Sequence, residues 1–225
     1  MLSKLIPKVA RQSTDIDFSI DYDTLYYDMI NTLKGIGEHF IAEGYIDRYT
    51  IKESIEPHKS GGADFYAADG QKVLGIDVGW HPTDWGTMRT NIGITTLRHF
   101  TVERMLSDKI CAILTKRRFR RAKDIYDLHQ LLRYYDVDLD LLRDGIRRHN
   151  EDTPVEWKNY PFNEIIMREY RKAYDKLEVK SIHPEEEIVK PDFNEVCDSF
   201  AKIMAGVRST KFVKWNHISR DFELR

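Results

Sequence analysis

The run "VLGIDVGW", residues 73–80, is apolar enough to be a buried strand except at Asp77, which sits between Ile76 and Val78. A carboxylate in such a strand is costly unless it is ion-paired, hydrogen-bonded or bound to a cation. An earlier stretch, "TDIDFSI" (14–20), alternates in the same way. On a strand, Asp15 and Asp17 share one face, while Ile16 and Phe18 are expected to face the core. Two like charges on one face repel, so any fold that accepts these strands has to supply positive charge beside them.

The rest of the chain fits around these two strands. "YDTLYYDMINTLKGIGEHFIAEGY" (22–45) spaces Leu25, Met29, Leu33, Ile36 and Phe40 at intervals of three and four, which predicts an amphipathic helix weakened by Gly35 and Gly37. "YTIKESIEP" (49–57) and "ADFYAA" (63–68) read as strands. They are separated by the turn signals "KSGG" (59–62) and "ADGQ" (68–71), and Asp69-Gly70 is a strong hairpin cue. These strands are expected to form an antiparallel meander beside the one carrying Asp15 and Asp17. From residue 101 the periodicity becomes helical. Two helices with a basic joint are expected in 101–135, and further helices in 138–150, 162–177 and 192–207, with 181–191 as a linker. The fold class expected is α+β, a mixed or antiparallel sheet with flanking helices. The domains expected are an α/β core over 1–100 and a helical region over 101–225.

Composition narrows the function. With 35 Lys and Arg against 37 Asp and Glu, the net charge of −2 says nothing about nucleic acid, so any basic partner surface must be local. Two cysteines far apart in sequence, Cys111 and Cys197, exclude a disulfide framework and suit a reducing cytoplasm. No apolar run approaches the roughly 18 residues of a membrane span. The monomer is the default expectation. His39, His58, His81, His99 and His129 are scattered without metal-binding spacing and read as structural or surface residues; the four tryptophans are given no role.

If the two acidic strands lie near each other, Asp15, Asp17 and Asp77 converge on one patch. Asp15 and Asp17 would stand roughly 7 Å apart, a span that divalent ions can bridge. Carboxylates are hard oxygen ligands suited to Mg²⁺, which also binds phosphate oxygens. A D-x-D pair at a strand end also occurs as a solvated turn or a helix N-cap, and spacing alone leaves both readings open.

A second constellation lies in 109–132. Lys116, Arg117, Arg118, Arg120, Arg121 and Lys123 place six cations in eight residues, a patch complementary to phosphate, although charge runs are usually solvated helix joints. Asp124 and Asp127 follow at helical spacing. Lys109, on the preceding helix, could bind nucleotide phosphates or serve only as a salt bridge.

Taken together, "RQSTDIDFSI", "VLGIDVGW" and "ERMLSDKICAILTKRRFRRAKDIYDLHQLL" resemble, in order and spacing, the AbiEii/AbiGii-type nucleotidyltransferase toxins of the polymerase-β-like superfamily. The resemblance covers about residues 10–135. It implies that Asp15, Asp17 and Asp77 hold Mg²⁺ (or Mn²⁺), with Asp77 helping to activate the attacking group. It further implies that Lys109 contacts the triphosphate, that Asp124 and Asp127 close the acidic motif with Asp127 in an active-site role, and that Arg11 assists nucleotide binding. Lys116, Arg117, Arg118, Arg120, Arg121 and Lys123 are the RNA-binding candidates. The implied activity is nucleotide transfer from an NTP to an acceptor, RNA such as tRNA, by a toxin with a cognate antitoxin encoded nearby.

The sequence departs from the family in one respect. Members carry Gly-Gly or Gly-Ser about a dozen residues before the D-x-D, where backbone amides grip the triphosphate. Here the first glycine is Gly35, which points to a longer natural chain beginning upstream of Met1. Two alternatives stand beside transfer: an inactive nucleotide- or RNA-binding member of the same fold, and a Mg²⁺-dependent nuclease or phosphohydrolase.

Overall fold

The computed structural model describes residues 15–54, 60–80, 84–92, 95–114, 121–152, 160, 162–180 and 188–225. Arg11, Lys116, Arg117, Arg118, Arg120, His58, His81 and Trp157 lie outside the described residues. The fold is α+β, and the described residues divide into two compact units, one ending at residue 85 and one beginning at residue 86.

The first unit is a four-stranded sheet under one helix. Its strands are β1 (Asp15–Ile20), β2 (Arg48–Glu53), β3 (Ser60–Tyr66) and β4 (Lys72–Trp80), in the order β1-β4-β3-β2. The β2-β3-β4 part is the antiparallel meander expected, and β1 joins it by pairing parallel with β4. Helix α1 (Tyr26–Ala42) connects β1 to β2 and buries Met29, Ile30 and Leu33 against Ala63, Phe65, Ile76 and Val78. Alternation along each strand puts these residues on one sheet face and leaves the other open. Gly37 in α1 has a packing reason: a Cβ there would fall 2.5 Å from the Tyr49 ring.

Three local expectations need correction. "KSGG" is not a turn, because Gly61 and Gly62 are strand residues within β3, opposite Val78 and Asp77. The Asp69-Gly70 turn does form, with Gly70 at φ +80° and its amide donating to the Ala67 carbonyl. Ile16 and Phe18 remain 44% and 45% exposed rather than buried. The reason is positional: α1 packs over β2 and β3, while β1 is the far edge of the sheet. Leu25, taken as part of the helix stripe, precedes the helix and is exposed.

The second unit opens with the hairpin β5 (Thr87–Ile92) and β6 (Thr95–Phe100), followed by helices α2 (Val102–Ile113), α3 (Ala122–Tyr134), α4 (Leu139–Asp152), α5 (Glu164–Asp175) and α6 (Phe193–Arg208). Helix α3 is the centre of this core: from Ile125 to Leu132 every residue is buried. Around it pack Leu106, Ile110, Tyr170, Val196 and Ile203. Three helix starts are capped by side chains, with Thr101, Asn163 and Asp192 accepting backbone amides at the first turns of α2, α5 and α6. Strands β7 (Val137–Asp138), β8 (Phe212–Asn216) and β9 (Asp221–Leu224) add a small antiparallel sheet that the helical reading of this half did not contain. The Trp215 indole donates to the Leu132 carbonyl at 2.8 Å, tying that sheet to α3. Arg143 donates to the carbonyls of Val207, Gly206, Ser209 and Phe212, which satisfies the end of α6.

Among the described residues no helix is long and apolar enough to cross a membrane. Cys111 and Cys197 are free thiols.

Candidate active site

The sheet face opposite α1 carries the acidic residues. In register across the strands, one row runs Asp17, Asp77, Gly62, Lys52, and the next runs Asp15, Gly75, Asp64, Thr50. Each row contains a glycine, and that gap is what lets long side chains lie across the face. A Cβ on Gly75 would fall 2.2 Å from Asp15 Oδ1 and 2.7 Å from Lys72 Nζ. A Cβ on Gly62 would fall 2.3 Å from the Ile76 carbonyl oxygen and 3.1 Å from Asp77 Oδ1.

Asp77 does not sit in a buried strand face, as the apolar run suggested. Its side chain is 52% exposed, because the apolar side chains that β4 buries, Ile76, Val78 and Trp80, lie on the opposite face. The charge problem is met by lysines. Lys72 Nζ stands 2.7 Å from both Asp15 Oδ1 and Asp64 Oδ1. Lys52 pairs with Asp77 and lies 3.3 Å from Asp64 Oδ1. Two ammonium groups therefore bridge three carboxylates, with Asp64 shared between them. The hydrogen bonds that Lys72 donates to Asp15 and then to Asp64 raise its pKa above the ordinary lysine value. For Lys52, burial works downward, but the bonds to Asp77 and Asp64 outweigh it and the net shift is upward. Asp64 is likewise held below the ordinary carboxylate value despite its partial burial. Among the described residues Asp17 has no hydrogen-bond or ion-pair partner.

Asp64, Lys52 and Lys72 were not found by sequence reasoning. Asp64 carries the same signal that singled out Asp77, an acid flanked by apolar neighbours in an alternating strand, here Ala63 and Phe65.

The donor chemistry of this face suits a divalent cation. Asp15, Asp17 and Asp77 offer hard oxygens side by side, and the lysine ammonium groups already hold positive charge between carboxylates. Among the described residues, no three His, Cys, Asp or Glu side chains converge as a ready cage. A shared ion therefore requires Asp15 and Asp77 to exchange their lysines for it.

In the second unit, the helical spacing of Asp124 and Asp127 brings both onto Lys109. The Lys109 ammonium donates to Asp127 Oδ2 at 2.8 Å and reaches Asp124 Oδ1 at 3.5 Å. Asp127 is 2% exposed and Asp124 7%. Arg121, immediately before α3, places its guanidinium 3.5 Å from Asp124 Oδ2. Lys123 points to solvent on the same helix. Sequence reasoning also passed over Arg104, which is buried and stacked 3.8 Å over the Phe100 ring. His99 is structural as expected, bonded to Thr90 Oγ1 and to the Phe100 carbonyl.

A model of the nucleotidyl transferase AbiEii toxin family, of the type IV toxin–antitoxin system, matches residues 1–200. The crystal structure of JHP933 from Helicobacter pylori is similar at 17% sequence identity, with a TM-score of 0.44, covering 92% of this chain and 82% of that one. A candidate nucleotidyltransferase structure from H. pylori gives the same identity and TM-score, covering 92% of this chain and 84% of that one. No curated protein matches the chain.

Proposed function

Because the chain belongs to the AbiEii family of nucleotidyl transferase toxins of the type IV toxin–antitoxin system, we propose that it transfers a nucleotide from an NTP to an acceptor RNA such as tRNA. In this reading Asp15, Asp17 and Asp77 hold Mg²⁺ or Mn²⁺. Membership in such a system implies a cognate antitoxin.

One observation carries the reading: among the described residues Asp17 is the face's acid without a side-chain partner, and its register neighbour on the same face is Asp77. An unpaired carboxylate beside a second one raises local negative potential, which a cation relieves. The bound ion supplies charge neutralisation on the triphosphate and on the attacking and leaving oxygens. Asp77, released from Lys52, accepts the proton of the attacking hydroxyl. Lys52 and Lys72, released from their carboxylates, contribute positive charge to phosphate oxygens. Lys109, its ammonium fixed by Asp127, is assigned to the triphosphate.

The test is incubation of the full chain with Mg²⁺, each labelled NTP and total tRNA. Label transfer that requires the metal and vanishes in Asp17→Ala supports the proposal, and shortened RNA replaces it with a nuclease. A second reading, a binding member without transfer, draws on the lysines that already neutralise Asp15, Asp64 and Asp77. RNA that is bound but unchanged would establish it.

A further inference from the structure

Lys72 reaches the acidic face through a break in the alternation of β4. Leu74 and Ile76 face the core under α1, and strict alternation would send Lys72 to the same side. The register shifts at this point. Phe65 pairs with Leu74, but Tyr66 pairs with Lys72, so Val73 is an extra residue in the strand. A bulge of this kind re-aims the side chain beside it. Here it turns Lys72 onto the face of Asp15 and Asp64, 2.7 Å from an oxygen of each.

Lys52 arrives from the other edge of the sheet. It lies on β2 opposite Gly62, pairs with Asp77 beyond that glycine, and stands 3.3 Å from Asp64 Oδ1. Both ammonium groups therefore meet at one oxygen. Distances of 2.7 and 3.3 Å from Asp64 Oδ1 keep them no more than about 6 Å apart. Of the three acids they contact, Asp64 is the most withdrawn from solvent, with its side chain 18% exposed against 43% for Asp15 and 52% for Asp77. Each lysine thus has an outer acid of its own and shares the same inner one.

This arrangement bears on cation binding. The formal charges of Asp15, Asp17, Asp64, Asp77, Lys52 and Lys72 leave an excess of two negative charges, which one divalent cation balances. Binding at Asp15, Asp17 and Asp77 takes the outer acid from each lysine. With no second acceptor, both ammonium groups would have to compete for those same oxygens or lose their partners altogether. Asp64 removes that conflict, because each lysine gives up one carboxylate and keeps another that it already touches.

We propose that Asp64 is a positioning residue of the cation site: it takes over Lys52 and Lys72 when a divalent ion claims Asp77 and Asp15, and it holds the two ammonium groups together as a pair for the phosphates of the nucleotide. This assignment rests on the metal-dependent transfer proposed above. It adds to that site a carboxylate that acts through the lysines rather than on the ion or the substrate. The Val73 bulge and the open lanes over Gly62 and Gly75 are the backbone features that let both lysines reach it.

Mn²⁺ binding to the full chain, without nucleotide, tests the assignment by calorimetry. Replacing both lysines, Lys52→Met with Lys72→Met, is expected to tighten binding severalfold, since the competitors for Asp15 and Asp77 are gone. Asp64→Asn alone is expected to weaken binding at least about tenfold, because both lysines then fall back on those two acids. Adding the lysine replacements to Asp64→Asn should restore the affinity, a tightening at least about tenfold larger than in the natural background. A sheet merely distorted by Asp64→Asn does not regain the ion when two more side chains are cut. Asp64→Ser carries the same comparison if the asparagine variant does not fold. Equal tightening in the two backgrounds, or undiminished Mn²⁺ affinity in Asp64→Asn, overturns the role of Asp64 alone. No saturable Mn²⁺ binding by the natural chain overturns the metal-dependent reading itself, and this assignment with it.

Discussion

Asp17 and Asp77 are Cα partners in adjacent parallel strands and project from the same sheet face, yet only Asp77 is held by a lysine. The asymmetry separates function from stability at these two positions. Among the described residues the Asp17 side chain forms no ion pair or hydrogen bond, so Asp17→Asn should leave the urea midpoint unchanged or slightly raised by the relief of repulsion. Transfer activity should fall at least a hundredfold, because the substitution removes a ligand charge at the proposed cation site. A large loss of stability in this variant would show that Asp17 has a structural role.

The two glycines of this face should respond differently to alanine. At Gly62 the new Cβ meets backbone, the Ile76 carbonyl oxygen at 2.3 Å, which cannot move without distorting the β3–β4 ladder. Gly62→Ala should cost about 2–3 kcal/mol by overpacking. At Gly75 the Cβ meets only the ends of flexible side chains, Asp15 and Lys72. Gly75→Ala should therefore cost less than about 1 kcal/mol while displacing the Lys72–Asp15 pair. Denaturation midpoints and transfer rates measured on both proteins check the contrast: Gly62→Ala impaired chiefly in stability, Gly75→Ala chiefly in rate.

What the sequence disclosed follows from the range of each signal. Alternation within one strand is local, so the shared face of Asp15 and Asp17 and the oddity of Asp77 could be read directly. Pairing between strands is not local. Lys72 meets Asp15 across 57 positions and Lys52 meets Asp77 across 25, and nothing in either segment specifies that register. The sequence therefore posed the charge problem and suggested a metal, while the fold answers it with lysines in the form described. Helical spacing is local too, which is why Asp124 and Asp127 could be placed on one face of α3. Ile16 and Phe18 were misjudged because exposure depends on which strands α1 covers, a matter of topology. The β7–β9 sheet escaped because its strands are two to five residues long and fall among strong helical patterns.

Lys109 is held between two largely buried acids, so its removal leaves uncompensated charge. Lys109→Met should cost about 3 kcal/mol, the scale for breaking a buried pair. The double variant Lys109→Met, Asp127→Leu should recover most of that loss, since no buried charge then remains at Asp127. Thermal midpoints of the single and double variants test the stability argument. Transfer assays test the proposed roles separately: an inactive but restabilised double variant is expected where Lys109 or Asp127 acts on the substrate, whereas activity that returns with stability makes both residues purely structural.

His129 makes folding depend on pH in a defined direction. Burial is the largest influence on its imidazole, with Glu195 pulling upward and Arg133 and Arg220 pushing downward, and the pKa is depressed to about 4. The unfolded chain takes up this proton near pH 6.5, the ordinary value for histidine. Between pH 6.5 and 4 the unfolded state thus binds more protons than the folded one, and stability rises with pH across that window. The contribution is complete above about pH 7 and erodes on acidification. Between pH 7 and pH 5, above the range where carboxylates protonate, the loss should be about 2 kcal/mol. Urea unfolding at the two pH values measures it. His129→Gln should flatten the difference, because glutamine does not titrate and its amide can still donate to Ser199. An unchanged pH slope in that variant would mean that another group binds the proton.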